Sequence, residues 1–295
     1  MTLVELLVVV VIILTLAAAT IPRLQPAMDR SRIREAARSV QLYLSSARNQ
    51  ALATGRSCGV IFEPLPGEGG CSMTLSQVES PAPYGGAATL TQGTGGGLTV
   101  KFDPNTNANI VKPGDQIQFG GQGVSFSLSG GTAAGWSANL QGQTTPWGGS
   151  SSAIPIKIFR QPVKSVASAL QLPAPAVVDL TLSGFDTVQP NGTAAFWGSG
   201  PVTIMFAPDG TIDRVYVGGT ATRPITPVCL LIGKRENVND PDPKKLNLQD
   251  YNSLWVAINP WTGLIVTTDL SAVGDKTMID QSRVYARQSD AMGGK

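Results

Sequence analysis

Met1-Thr2-Leu3-Val4-Glu5-Leu6-Leu7-Val8-Val9, continued by an almost unbroken apolar run to Ile21-Pro22, decides how the rest of the chain is read. Glu5 is the only charge before Arg23. Residues 1–21 would extend about 30 Å as a helix, enough to cross a hydrocarbon core. An acidic group within a bilayer costs roughly 2.5–3.5 kcal/mol even on lenient scales, so Glu5 calls for compensation. Three readings compete. A cleaved signal peptide would use Ala17-Ala18-Ala19 as its small-residue site, but it lacks a basic start and places Glu5 where the apolar run begins. A plain membrane anchor, with Leu6, Val10, Leu14 and Ile21 in the span, explains the length but not Glu5. The third reading needs the residues that follow.

Residues 23–56 hold seven arginines against Asp29 and Glu35, whereas residues 57–295 hold fifteen Lys and Arg against seventeen Asp and Glu. The basic character thus belongs to the stretch after the apolar run, and global charge gives no support to nucleic-acid binding. Residues 23–54 stay helical in pattern and end at Gly55, a good residue to follow a helix. Ile33, Ala37, Val40, Leu44, Ala47 and Ala51 fall in one stripe about 80° wide, suited to packing on a sheet or another helix. Arg23, Arg30, Arg34, Arg38 and Arg48 run beside it. They suit a solvated face, lipid phosphates or acidic faces of neighbouring subunits; DNA is disfavoured because no aromatic or base-reading partners accompany them. Residues 1–54 would make a rod of about 80 Å.

Thr2-Leu3-Val4-Glu5-Leu6-Leu7-Val8-Val9 resembles the start of a mature type IV pilin or type II secretion pseudopilin. Glu5 stands at that family's position, and Pro22 where its long helix bends. The resemblance implies that Met1 is the residue exposed by prepilin peptidase and N-methylated, and that Thr2, Glu5 and Pro22 serve filament assembly. Either the sequence is the processed form, or it starts at an internal methionine. Glu5 would neutralise the amino terminus of a neighbouring subunit, selecting register rather than adding stability beyond an apolar pair. The implied location is a single-pass inner-membrane protein with a periplasmic domain, joining a filament after assembly.

After Gly55 the period becomes two, and strands are expected at 59–63, 73–78, 98–102, 124–128, 154–159, 177–182, 202–206, 212–217, 229–232, 254–258 and 264–268. Pro208-Asp209-Gly210 and Asn259-Pro260-Trp261-Thr262-Gly263 turn two hairpins. The Gly- and Ser-rich stretches 85–97, 129–152 and 183–200 read as long loops, and 280–287 as a short helix. Ala47-Arg48-Asn49-Gln50-Ala51 with Gly55-Arg56, the strand at 60–62 with Glu63-Pro64, and the two hairpins resemble the H-type minor pseudopilins (the GspH/FimT family). That family's domain is shorter, so the Gly-rich insertions depart from it. The expected fold class is α+β: a long N-terminal hydrophobic helix on a C-terminal antiparallel sheet domain with long Gly-rich loops. Its parts are residues 1–22 (span and filament core), 23–55 (amphipathic half) and 56–295 (β-rich domain).

The chain contains no histidine, which removes the commonest general base and metal ligand. It also lacks a nucleophile elbow, a P-loop and a dinucleotide fingerprint. Asn237, Asn239, Asp240 and Asp242 form the best candidate cation site, for Ca2+, without the Gly and distal Glu of an EF-hand. Asn191-Gly192-Thr193 matches a glycosylation sequon. Cys58 and Cys71 would close a short disulfide loop in an extracytoplasmic protein, with Cys229 left free or pairing instead; equally, all three fit as small buried hydrophobes. Trp136, Trp147, Trp197, Trp255 and Trp261 suit a ligand platform or core packing. The expected function is a non-enzymatic filament subunit without cofactor, whose partners are other pilin-like chains, the inner membrane, prepilin peptidase and a secreted substrate. The alternative is a membrane-tethered binding module or enzyme recognising an exported protein, a glycan or DNA.

Overall fold

The computed structural model describes residues 3–92, 98–121, 124–132, 135–139, 152–185, 200–271 and 279–291. Helix α1 (Leu3–Thr54) opens the chain. It stops at Gly55, whose φ of 64° and N–H bond to Ala51 O (3.0 Å) make a left-handed cap that a Cβ would oppose. Its second half is an apolar stripe. Ile33, Ala36, Ala37, Val40, Leu44, Ala47 and Ala51 are fully buried, and the alanines allow a sheet to approach closely.

That sheet is built from β1 (Cys58–Leu65), β2 (Glu68–Glu79), β9 (Val163–Lys164), β10 (Leu170–Gln171), β11 (Ala176–Gly184), β12 (Val202–Phe206), β13 (Ile212–Val217), β14 (Thr220–Thr222), β15 (Val228–Lys234), β16 (Leu254–Ile258) and β17 (Ile265–Asp269). Its main path runs β14-β13-β12-β1-β2-β11-β15-β16-β17, and β9 and β10 pair with β2. Strands such as β12 and β16 are buried at every residue because both faces are covered. One face packs on α1. The other, around Leu182, Leu231, Trp255 and Ala257, packs under the terminal helices α2 (Ile279–Ser282) and α3 (Val284–Ala291).

The sheet curls until its ends meet. The β12–β13 turn and the β16–β17 turn belong to opposite ends of the path, yet Ile212 N–H donates to Pro260 O at 2.9 Å. The helix stripe thus lies inside a trough, in one core with Val60, Phe62, Ile204, Phe206, Leu230 and Val256.

Between β2 and β9 sits a second body: β3 (Tyr84–Gln92), β4 (Leu98–Phe102), β5 (Gln116–Phe119), β6 (Phe126–Thr132), β7 (Gly135–Asn139) and β8 (Ile154–Phe159). They close a barrel in the order β3-β4-β7-β6-β5-β8, with β8 pairing back to β3 from Tyr84↔Ile158 to Ala88↔Ile154. Its core of Leu90, Leu98, Val100, Ile117, Phe119 and Ile158 is separate from the core beneath α1.

The expected class is therefore corrected. Strand outweighs helix among the described residues, 42% against 26%, and the β part comprises a large sheet and a barrel rather than one sheet with loops. The supposed loop 85–97 contains most of β3, and 129–152 contains the end of β6 and all of β7. In the third stretch β11 continues to Gly184, and residues 186–199 lie outside the described residues. The membrane expectation is corrected as well. Among the described residues no helix is long and apolar enough to cross a membrane, so a transmembrane helix and a single-pass inner-membrane location are not supported.

Candidate assembly surface

The first turns of α1 have no sheet against them. From Leu3 (82% exposed) to Leu16 (62%), twelve large apolar side chains are open, including the expected Leu6, Val10 and Leu14. Monomeric proteins rarely leave such a contiguous apolar surface uncovered. Glu5 lies within this stretch and is itself exposed. Met1 and Thr2 lie outside the described residues, as do the side chains of Ile21, Pro22 and Arg23, although the helix is continuous through those three.

The other half of α1 is fastened to the trough by polar contacts. Gln41 Nε2 donates to Ile265 O (3.0 Å), and its Oε1 accepts from Thr267 Oγ1 (3.0 Å). Tyr43 OH donates to Ser168 O (3.1 Å), and Lys234 Nζ meets Asp29 Oδ2 at 3.3 Å. Arg48 reaches both hairpin turns, donating from Nε to Gly210 O (3.1 Å) and from Nη2 to Thr262 O (3.0 Å). The arginine row therefore divides. Arg30, Arg34 and Arg38 are exposed, while Arg48 joins the two ends of the sheet to the helix. Sequence reasoning missed that role because its partners are 162 and 214 residues away.

The remaining candidates are not brought together. Cys58, Cys71 and Cys229 are buried, and none of them is in a disulfide. Cys58 faces Glu79, whereas Ser72, next to Cys71, faces Pro64 six positions along β1, about 20 Å away. A disulfide needs Cα atoms within about 7 Å, so the Cys58–Cys71 bridge is corrected to two separate thiols. Burial raises the Cys58 thiol. Burial together with the Glu68 and Asp179 carboxylates pushes Cys71 up to about 11.

The proposed cation ligands serve the local chain. Asp240 Oδ1 accepts from Asp242 N–H (2.8 Å), and Asp242 Oδ1 accepts from Lys244 N–H (3.0 Å), capping a short 3-10 turn at Pro243–Lys245. Asn237 closes another such turn, and Asn239 takes the positive φ of 53° that ends it. Among the described residues no group of three His, Cys, Asp or Glu side chains is placed to hold a metal ion. The described tryptophans follow the packing alternative rather than a platform: Trp136 lies in the barrel core, Trp255 is buried with its Nε1 bonded to Ser282 Oγ (2.9 Å), and Trp261 is exposed on a turn. Trp147, Trp197 and Asn191-Gly192-Thr193 lie outside the described residues.

No family model, curated protein or solved structure matches the chain.

Proposed function

We propose that this chain is a structural subunit of a pilin- or pseudopilin-type filament, assembling through the N-terminal part of α1. The observation that carries the reading is the open apolar surface from Leu3 to Leu16 on a helix whose other half is locked in the sheet. Such a helix cannot bury its free end against its own domain, and like helices of neighbouring subunits would cover it by ordinary apolar packing. Glu5 gives the packing a register. Among packed helices its carboxylate is tolerated when paired, and a neighbour's amino terminus supplies the opposite charge. The resemblance of Thr2-Leu3-Val4-Glu5-Leu6-Leu7 to mature pilins supports the same assignment, with prepilin peptidase as the processing partner.

The test is Glu5→Leu in the full chain. The variant should keep the wild-type circular dichroism and melting temperature, because residue 5 is far from the sheet, yet fail to enter filaments with its partner chains. Normal incorporation would end the pairing role. Intact-mass measurement of the native protein should show one added methyl group on residue 1.

A further inference from the structure

A second surface has a different chemistry. Where the barrel meets the free end of the sheet there is an open cleft of about 700 Å3, within the range of small-ligand sites. One wall is barrel: Gln116 on β5 and the hydroxyls of Ser125, Ser127 and Ser129. Gln116 and Ser127 are paired across the β5–β6 ladder, and residues 125, 127 and 129 alternate with the buried Phe126 and Leu128, so these polar groups share the outward face. The other wall is sheet: Arg214 on β13, Thr220 on β14, and Arg223 just beyond.

The two walls are joined. Arg214 Nη1 donates to Gln116 Oε1 across the junction. Gly114 of the barrel approaches Gly219 so closely that a Cβ on Gly114 would lie 3.2 Å from Gly219 O and 1.9 Å from Gln161 Nε2. Buried Asp115 fixes the rim, its two carboxylate oxygens accepting from Lys112 N–H (2.8 Å) and Gln161 N–H (2.9 Å). Gln161 then spans back to Pro113 O (2.8 Å).

Among the described residues the lining holds two guanidinium groups and no carboxylate; Asp213 stands 3.9 Å from Arg214 Nε and Asp115 is buried at the rim, so Arg223 is the more open cation for an anion. Arg223 is exposed, with the Asp209 carboxylate near enough to feel its charge. Hydroxyl and carboxamide groups both donate and accept, which matches the hydroxyls of a sugar. Among the described residues no aromatic ring lines the cleft, which argues against single-stranded nucleic acid, whose bases need stacking surfaces. We propose that the cleft between barrel and sheet binds an acidic oligosaccharide, with Arg223 and Arg214 receiving a carboxylate and the serine and glutamine side chains receiving sugar hydroxyls.

The experiment is calorimetric titration of the full chain with trigalacturonic acid, with neutral maltotriose, sodium sulfate and a short single-stranded DNA as comparisons. Trigalacturonic acid should bind at one site, at least about tenfold more tightly than maltotriose or sulfate, and more weakly as salt rises. Arg223→Gln should lower its affinity about tenfold while leaving the melting temperature unchanged. Ser127→Tyr, which fills the cleft from the barrel wall, should abolish binding without touching either arginine. Absence of trigalacturonate binding would overturn the assignment. So would equal binding of maltotriose, sulfate or DNA, or an Arg223→Gln variant that binds as the wild type does.

Discussion

Cys71 shows how a single residue is governed by its surroundings. It pairs with Asp179 across the β2–β11 ladder, has no exposed surface, and lies beside the Glu68 carboxylate. Removing its proton would bury a negative charge near two others, which is why its thiol is pushed up to about 11. At pH 8 roughly one molecule in a thousand would then carry the reactive thiolate. Iodoacetamide at that pH should leave Cys71 unmodified in the native protein and modify it fully in urea. Rapid native labelling would show that the site is open. A stability consequence follows, with its sign set by the raised value. The unfolded thiol loses its proton near pH 8.5, whereas the folded one keeps it to about 11. The stabilisation is complete below about pH 8.5 and fades as pH rises toward 11, so the urea midpoint should fall over that window. Cys71→Ala should flatten the fall.

At the scale of elements, the meeting of α1 with the two hairpin turns is the most specific joint in the molecule. Gly210 (φ 85°) and Gly263 (φ 64°) turn the hairpins, and a Cβ on Gly263 would stand 1.8 Å from Gly210 O. The turns touch, and Arg48 bonds to a carbonyl in each. Arg48→Met keeps the aliphatic stem and removes both bonds. It should cost about 1–3 kcal/mol, read as a lower urea midpoint with an unchanged m-value. A loss below a few tenths would mean that water replaces the guanidinium without penalty. The parts of this joint differ in legibility. The buried stripe of α1 was readable because its period is helical, and the two hairpins because Asp209-Gly210 and Asn259–Gly263 carry turn chemistry; that they touch was not, since contact across a curled sheet leaves no local pattern. The β3 strand was hidden for another reason. In Tyr84-Gly85-Gly86-Ala87-Ala88-Thr89-Leu90 the inward positions between Tyr84 and Leu90 carry only Gly86 and Ala88, so the alternation is faint. Barrel closure, rather than strand propensity, makes those residues a strand. Glu5, on which the proposed assembly rests, stands out in the sequence because a lone carboxylate in an apolar run is conspicuous without any fold.

At the scale of the whole molecule, the architecture separates the two proposed tasks. The sheet encloses half of α1, while the barrel departs from the end of β2 and returns at β9. Its first and last strands pair with each other, Tyr84 opposite Ile158, so the barrel enters and leaves through neighbouring points. The sheet closes beneath it without its help: Val78 pairs with Lys164, and Ser165 N–H donates to Gln77 O at 2.9 Å. Each body also has its own apolar core. An insertion with adjacent ends and a private core can be removed without opening its host. Replacing residues 84–159 with a Gly-Ser linker of about four residues, enough to span one ladder spacing, should leave the sheet body folded. The near-ultraviolet circular dichroism of Trp255, buried on the far side of the sheet, should persist, and unfolding should remain cooperative. Filament entry through α1 should survive, while binding at the barrel cleft should vanish because one wall is gone. A shortened chain that binds hydrophobic dye and loses the Trp255 signal would show that the sheet needs the barrel to fold, and the two tasks would then be inseparable.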